Sequence, residues 1–330
     1  MSFNADYSRI AVVGSRGYGC HFLRALVGSK HFKTVRVVTR STAGNRKEDK
    51  EKRMQCQKLK DMGVQIVEYV DTTVKTFAET FKDIDIVVSA VGLAGVMDQI
   101  PMIDGAVLAG VKWFIPSEYG VADYQSVWLP FASPLAAKSL VRDHLAAVAK
   151  SSGLAHTIIY TGMAIDCLDP TAIGLQLAEH KATLVGRGGT PATFTSIHDV
   201  VRLVVEIAKR PEEMQNRTIR YAGSTAKMRD LIKVVTGCSF GTGLKCMHPD
   251  DAKQELNNLA LAHDSKAVPI YTCLLIEEGL GQINRFKEPL DNELFPELKP
   301  EPVCQTLERM MAKTQTTKVS AIANFFHKAR

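Results

Sequence analysis

Short strand-like runs alternate with longer amphipathic stretches through the first half of the chain. The strand-like runs fall at 10–13, 35–39, 65–69, 84–90, 113–116 and 156–160. Between them, 20–27, 50–62, 74–81, 95–109 and 135–151 carry apolar residues at helical spacing. This alternation predicts right-handed βαβ crossovers and a parallel sheet covered on both faces, a doubly wound α/β domain of Rossmann type. Beyond Tyr160 the rhythm breaks. Residues 186–191 are turn-rich, Ser196-Ile197-His198-Asp199 reads as a capping pair opening a helix over 200–209, and 218–222 reads as another short strand. Helical stretches around 251–262, 271–278 and 302–313 predict a smaller, mostly helical C-terminal lobe. The expected division is a dinucleotide-binding domain over 1–163, with 196–222 returning to it, and a substrate-binding lobe made of 164–195 and 223–330.

Between the first strand and the first helix lies Gly14-Ser15-Arg16-Gly17-Tyr18-Gly19. Strand, glycine turn and helix start in that order form the first βα unit of a dinucleotide-binding fold. Glycines let backbone N–H groups approach a pyrophosphate, and the positive end of the helix attracts it. The spacing fits G-x-x-G-x-x-G, with Cys20 where a third glycine would stand, which predicts slightly looser helix–strand packing there. The second strand ends in Val38-Thr39-Arg40-Ser41-Thr42, followed by Arg46 and Lys47, with no acid before Glu48. An NAD site usually places an acid here for the ribose hydroxyls, whereas an arginine suits a 2′-phosphate. NADP(H) is therefore the expected cofactor, and an exposed basic loop is the competing reading. Ala90, Val91 and Gly92 end the fourth strand-like run and are expected to run beside the cofactor.

Composition narrows the classes. The 330 residues are 45% hydrophobic and 23% charged, ordinary values for a globular protein. A net charge of +6, spread along the chain, makes nucleic acid a poor partner. The charge-rich helix around 47–60 reads as a solvated face. Seven scattered cysteines with no C-x-x-C pair argue for a reducing compartment and against a metal site or disulfide framework. No apolar run approaches the roughly 20 residues that span a bilayer. The first strand begins within ten residues of Met1, which leaves no apolar core for a signal peptide. A cytoplasmic protein without membrane contact, monomer or homodimer, is expected.

Trp113-Phe114-Ile115-Pro116-Ser117-Glu118-Tyr119-Gly120 is similar to the RF-x-PSEFG stretch of the isoflavone reductase-like branch of the NmrA-like, atypical short-chain dehydrogenase/reductase family. Ala137-Lys138-Ser139-Leu140-Val141-Arg142 resembles that branch's lysine-bearing helix, and Ser152-Gly153-Leu154-Ala155-His156-Thr157 its following EGIPYT. The resemblance runs from about Arg9 to Ala222. It implies NADP(H) held by the glycine turn, Arg40, Ser41 and Asp71, and a substrate cleft between the Rossmann domain and the C-terminal lobe. It also implies an NADPH-dependent reductase of phenolic or other secondary metabolites, although the family includes regulators that bind dinucleotide without turnover. The departures are Cys20 and a stretch at 121–133 with little match, a loop able to shape the pocket.

The Tyr-x-x-x-Lys pair of ordinary short-chain dehydrogenases is missing, since none of the eight tyrosines has Lys four residues on. Lys138 borders the apolar stripe of Val141, Leu145 and Val148, and partial burial without a partner would lower its pKa and make it a proton donor. The resemblance gives this lysine the catalytic role independently; a snorkelling lysine is the competing account. Arg142 is left unassigned. Ser117, Glu118 and Tyr119 follow a strand's carboxyl end, where open sheets place ligands. Tyr119, Tyr160 and Met163 are the expected substrate-side residues, with core packing as their alternative, while His198 and Asp199 read as helix-start residues. The reading is an NADPH-dependent reductase acting on a carbonyl, conjugated alkene or benzylic ether, with Lys138 as proton donor. A non-catalytic NADP(H) sensor that docks on a partner protein, and a redox-neutral isomerase or lyase, are the alternatives.

Overall fold

The computed structural model describes residues 7–41, 47–121, 133–166, 173–179, 181–236, 244–261, 267–277, 283 and 289–312. The chain begins with β1 (Arg9–Val13), α1 (Tyr18–Gly28), β2 (Thr34–Arg40), α2 (Lys47–Asp61), β3 (Gln65–Tyr69), α3 (Val74–Thr80) and β4 (Ile86–Ser89). It continues with α4 (Gln99–Leu108), β5 (Trp113–Ile115), α5 (Ser133–Ser152) and β6 (Ala155–Tyr160). Then come β7 (Leu175–Gln176), β8 (Lys181–Val185), β9 (Pro191–Phe194), α6 (Ile197–Ala208), α7 (Pro211–Met214) and β10 (Arg217–Arg220). The remaining elements are β11 (Ser224–Lys227), α8 (Met228–Thr236), β12 (Leu244–Met247), α9 (Pro249–Leu261) and α10 (Ala267–Glu277).

Seven parallel strands form one sheet in the order β3-β2-β1-β4-β5-β6-β10. The apolar runs follow from burial on both faces. Along β1, Ile10 and Val12 join a core with Phe22 and Leu26 of α1 and Val204 of α6, while Ala11 and Val13 join an opposite core with Phe77, Ile103 and Val141. Strand β1 is thus shielded by helices above and below, as the centre of a doubly wound sheet requires, while the edge strands β3 and β10 are partly exposed. The helix expected over 95–109 starts later, because Leu93–Gly95 forms a separate 3-10 turn and α4 begins at Gln99.

The segment between β6 and β10 leaves the sheet, builds β7, β8 and β9, and returns through α6. Strand β8 pairs with β7 and β12, and β9 pairs with β11. These five short strands share a core with α8, Val303 and Leu307. They were not expected from the sequence, in which this region read as mostly helical. Ser196 caps α6 as anticipated: its hydroxyl accepts the Asp199 N–H at 3.1 Å and donates to the Asp199 carboxylate at 2.7 Å, which also accepts the Glu301 N–H at 2.8 Å. Ser196→Ala is expected to lower unfolding free energy by about 1–2 kcal/mol, read in urea melts, because it leaves a buried helix N–H without its acceptor. Among the described residues, no helix is long and apolar enough to cross a membrane.

Candidate active site

The carboxyl ends of β1, β2, β4, β5 and β6 open on one edge, and the sheet order reverses between β1 and β4. Ligands of open α/β sheets sit at such a switch point. The three glycines there have distinct duties. Gly14 has φ +109°, and a Cβ on it would lie 2.7 Å from the Ala90 carbonyl oxygen. A Cβ on Gly19 would stand 2.2 Å from the Gly14 oxygen. Gly17 has φ +50° with nothing within 4 Å, so it serves the turn and leaves space above it. The close approach of helix to turn is therefore made at Gly19. This corrects the expectation that Cys20 takes the third glycine's place and loosens the packing: Cys20 is simply buried beneath the helix start.

The turn is braced from two sides. The Gly14 N–H donates to the Val38 carbonyl at 2.9 Å, and the Ser15 and Thr39 hydroxyls bond at 3.0 Å. From α2, the Gln55 amide donates to the Ser15 carbonyl and the Lys52 ammonium to the Arg40 carbonyl. Lys52 is only 9% exposed, and burial lowers its pKa. The stretch at 47–60 is thus more than a solvated face. Its inward stripe of Lys52, Cys56 and Leu59, at helical spacing, was the signal that could have shown it.

Beyond β2 the Arg40 guanidinium is 61% exposed and pairs with Asp98 at 3.1 Å. The Ser41 hydroxyl donates to Glu68 at 3.0 Å, and Arg16 reaches the Glu48 carbonyl at 2.9 Å. Thr42 and Arg46 lie outside the described residues. Asp71 is occupied locally: one carboxylate oxygen accepts the N–H of Thr73 at 3.2 Å and its hydroxyl at 2.9 Å, as well as the Thr76 hydroxyl. These bonds, led by that from Thr76, hold its carboxyl below the usual range. It shapes the entry to α3. Ala90 and Val91 continue from β4, with the Val91 carbonyl accepting the Ser117 hydroxyl at 2.9 Å, while Gly92 is exposed.

Lys138 projects from α5 toward the end of β5. It is 8% exposed, and its ammonium donates to the Glu118 carbonyl at 2.6 Å. The expectation of burial holds, but that of a lysine without a partner does not. Burial lowers its pKa, the Glu118 charge works in the opposite direction, and Arg142 lowers it further. The Glu118 side chain is itself fully buried and pairs with Arg142 at 3.3 Å. Burial raises its pKa against the pull of both cations. Arg142, unassigned from the sequence, thus anchors a buried carboxylate. The result is a charged group held out of water at the carboxyl edge, where the protonation equilibrium of the lysine is displaced toward neutrality.

The aromatic residues turn inward. Tyr119, at φ +27°, packs against Tyr18 and Phe22 and donates its hydroxyl to the Ser89 carbonyl at 3.0 Å, so it is a core residue and not a wall of the cleft. Tyr160 is buried in the core at the end of β6. Met163 follows and is tied to the lobe by its N–H to Thr193 at 2.8 Å and its carbonyl from Thr195 at 3.1 Å. Its partial burial places it at the seam between sheet and lobe. The loop at 121–133 lies almost wholly outside the described residues.

Comparisons with known proteins agree with this architecture. The chain is 27% identical over 312 residues to isoflavone reductase homolog P3 of Arabidopsis thaliana, covering 89% of this chain and 95% of that protein. It is 24% identical to phenylcoumaran benzylic ether reductase TP7 of Nicotiana tabacum, over 89% and 96% of the two chains. Among solved structures, the binary complex of leucoanthocyanidin reductase with NADPH from Vitis vinifera superposes with a TM-score of 0.72 at 19% identity, over 92% of this chain and 99% of that one. The model of the NmrA-like family matches residues 6–248, from the first strand through the glycine turn, the Lys138 helix and the lobe strands, and the chain belongs to that family.

Proposed function

We propose that this protein is an NADPH-dependent reductase of a small aromatic or phenolic substrate, with Lys138 as its proton donor. The observation that carries the reading is a buried ammonium at the same sheet edge as a glycine cradle that no side chain fills. Gly14 and Gly19 admit no Cβ without collision, Gly17 leaves open space, and the start of α1 offers a positive end to a pyrophosphate. Gly14–Gly19 would hold the pyrophosphate, Arg40 and Ser41 the 2′-phosphate, and Ala90–Gly92 the flank of the cofactor. When bound, NADPH supplies a hydride. Lys138 gives its proton to the oxygen that gains charge, either a reduced carbonyl or the leaving oxygen of a cleaved benzylic ether, and regains it from solvent. A conjugated alkene would be reduced in the same way through its enolate oxygen. Its relatives' names, reductases of isoflavones and benzylic ethers, support a phenolic substrate class.

NADPH oxidation measured against aromatic ketones, enones and benzylic ethers tests the reading. Turnover with one class that is lost in Lys138→Ala supports it; tight NADPH binding with no turnover would favour the dinucleotide sensor. The cofactor assignment has its own test. Arg40→Ala is expected to raise the NADPH dissociation constant about 10- to 100-fold and the NADH constant much less, since only NADPH offers the bidentate phosphate contact. Equal losses would refute the assignment.

A further inference from the structure

We propose that Asp98 is a specificity-determining residue that weakens the preference of this chain for NADP(H) over NAD(H). The proposal rests on the reading of Arg40 as the 2′-phosphate contact. Asp98 stands directly before α4 with a backbone that is already helical, and its side chain makes no capping hydrogen bond. Its carboxylate instead crosses to the end of β2 and holds Nη2 of Arg40 at 3.1 Å. The pair joins residues 58 positions apart, from the loop after β4 to the last residue of β2. Asp98 is 26% exposed, so the carboxylate is partly shielded and faces the guanidinium.

Among the described residues, Arg40 is the only cation bonded to Asp98. Glu68 on β3 adds a second carboxylate, engaged by the Ser41 hydroxyl. Lys52 points its ammonium at the Arg40 carbonyl, and Arg16 is directed to the Glu48 carbonyl. A 2′-phosphate brings close to two negative charges at neutral pH. It must either take the guanidinium from Asp98 or share it with that carboxylate beside it. Both routes cost binding energy, and neither burdens NADH, which carries a hydroxyl at that place. The opposing effect, that Asp98 holds Arg40 ready, saves only the ordering of one exposed side chain.

The test is a fluorescence titration of the full chain with NADPH and NADH at low ionic strength. Asp98→Asn is expected to tighten NADPH binding roughly three- to ten-fold and to change NADH binding by less than about two-fold, widening the ratio of the two constants. Asp98→Glu should stay close to the parent, and Asp98→Ser should repeat the asparagine result, which guards against an effect peculiar to one substitution. On an Arg40→Ala background the gain from Asp98→Asn should shrink. An unchanged ratio, or weaker NADPH binding, in both the Asn and Ser variants overturns the role of Asp98 while leaving the cofactor site intact. If Arg40→Ala alone fails to weaken NADPH selectively, the underlying cofactor reading falls, and this proposal with it.

Discussion

Gly19→Ala should abolish measurable NADPH binding and destabilise the fold. The added methyl carbon would sit 2.2 Å from the Gly14 carbonyl oxygen, a backbone atom with no rotamer to change. Relief requires α1 to back away from β1 or the turn to deform. The first repacks Phe22, Leu23 and Leu26, all fully buried, and the second misplaces the N–H groups that would face the pyrophosphate. A cost of about 3 kcal/mol or more is expected from such overpacking, with at least a roughly 100-fold loss of NADPH affinity. Gly17→Ala provides the contrast, because it meets open space and suffers only from φ +50°. Its backbone, at φ +50° and ψ −128°, lies in a region kept for glycine, so its cost should be about 1–3 kcal/mol, below that of Gly19→Ala. Calorimetric titration and thermal melts of both variants check the order; near-parental affinity in Gly19→Ala would mean that the turn is not the pyrophosphate cradle.

The second large effect falls on turnover. Lys138→Met is expected to reduce kcat by about 10²- to 10⁴-fold, the usual worth of a positioned general acid. NADPH affinity should fall far less. Methionine keeps most of the apolar stem but removes a buried donor to the Glu118 carbonyl and one of the two cations acting on the Glu118 carboxylate. A lower melting temperature is therefore expected, and kcat is to be read below it. The pH dependence carries the sign. The lysine must be protonated to act, so the rate falls as pH rises through its pKa, which burial holds below the ordinary lysine value. That basic limb should disappear in the residual activity of Lys138→Met. A parental kcat in this variant would assign the proton transfer to another donor.

Much of this site could be read from residues close in sequence, and the exceptions share a cause. The apolar run of β1, the glycines after it and Arg40 at the end of β2 announce themselves locally, because a buried strand and a tight turn each constrain neighbouring residues. Lys138 was legible through its place beside the stripe of Val141 and Leu145, both fully buried. Its partner was not, since Glu118 lies 20 positions away and offers its backbone carbonyl, which no side-chain pattern encodes. The Arg40–Asp98 pair likewise joins a strand end to a loop that only the sheet brings together. Tyr119 looked available to the cleft because the chain had just left a strand, but its left-handed backbone turns the ring into the core. The lobe strands escaped notice because runs of two to five residues, such as Leu175–Gln176 and Lys181–Val185, are too short to establish alternation.

The central claim, that the carboxyl edge presents a reduced cofactor to Lys138, is tested most directly by a crystal structure with NADP⁺. The account predicts the pyrophosphate on the N–H groups of Gly14–Gly19, the 2′-phosphate on Arg40, and the Lys138 ammonium directed into a closed cavity bordered by the nicotinamide ring. Electron density placing the ring away from Lys138, with that ammonium still bound only to the Glu118 carbonyl, would contradict it.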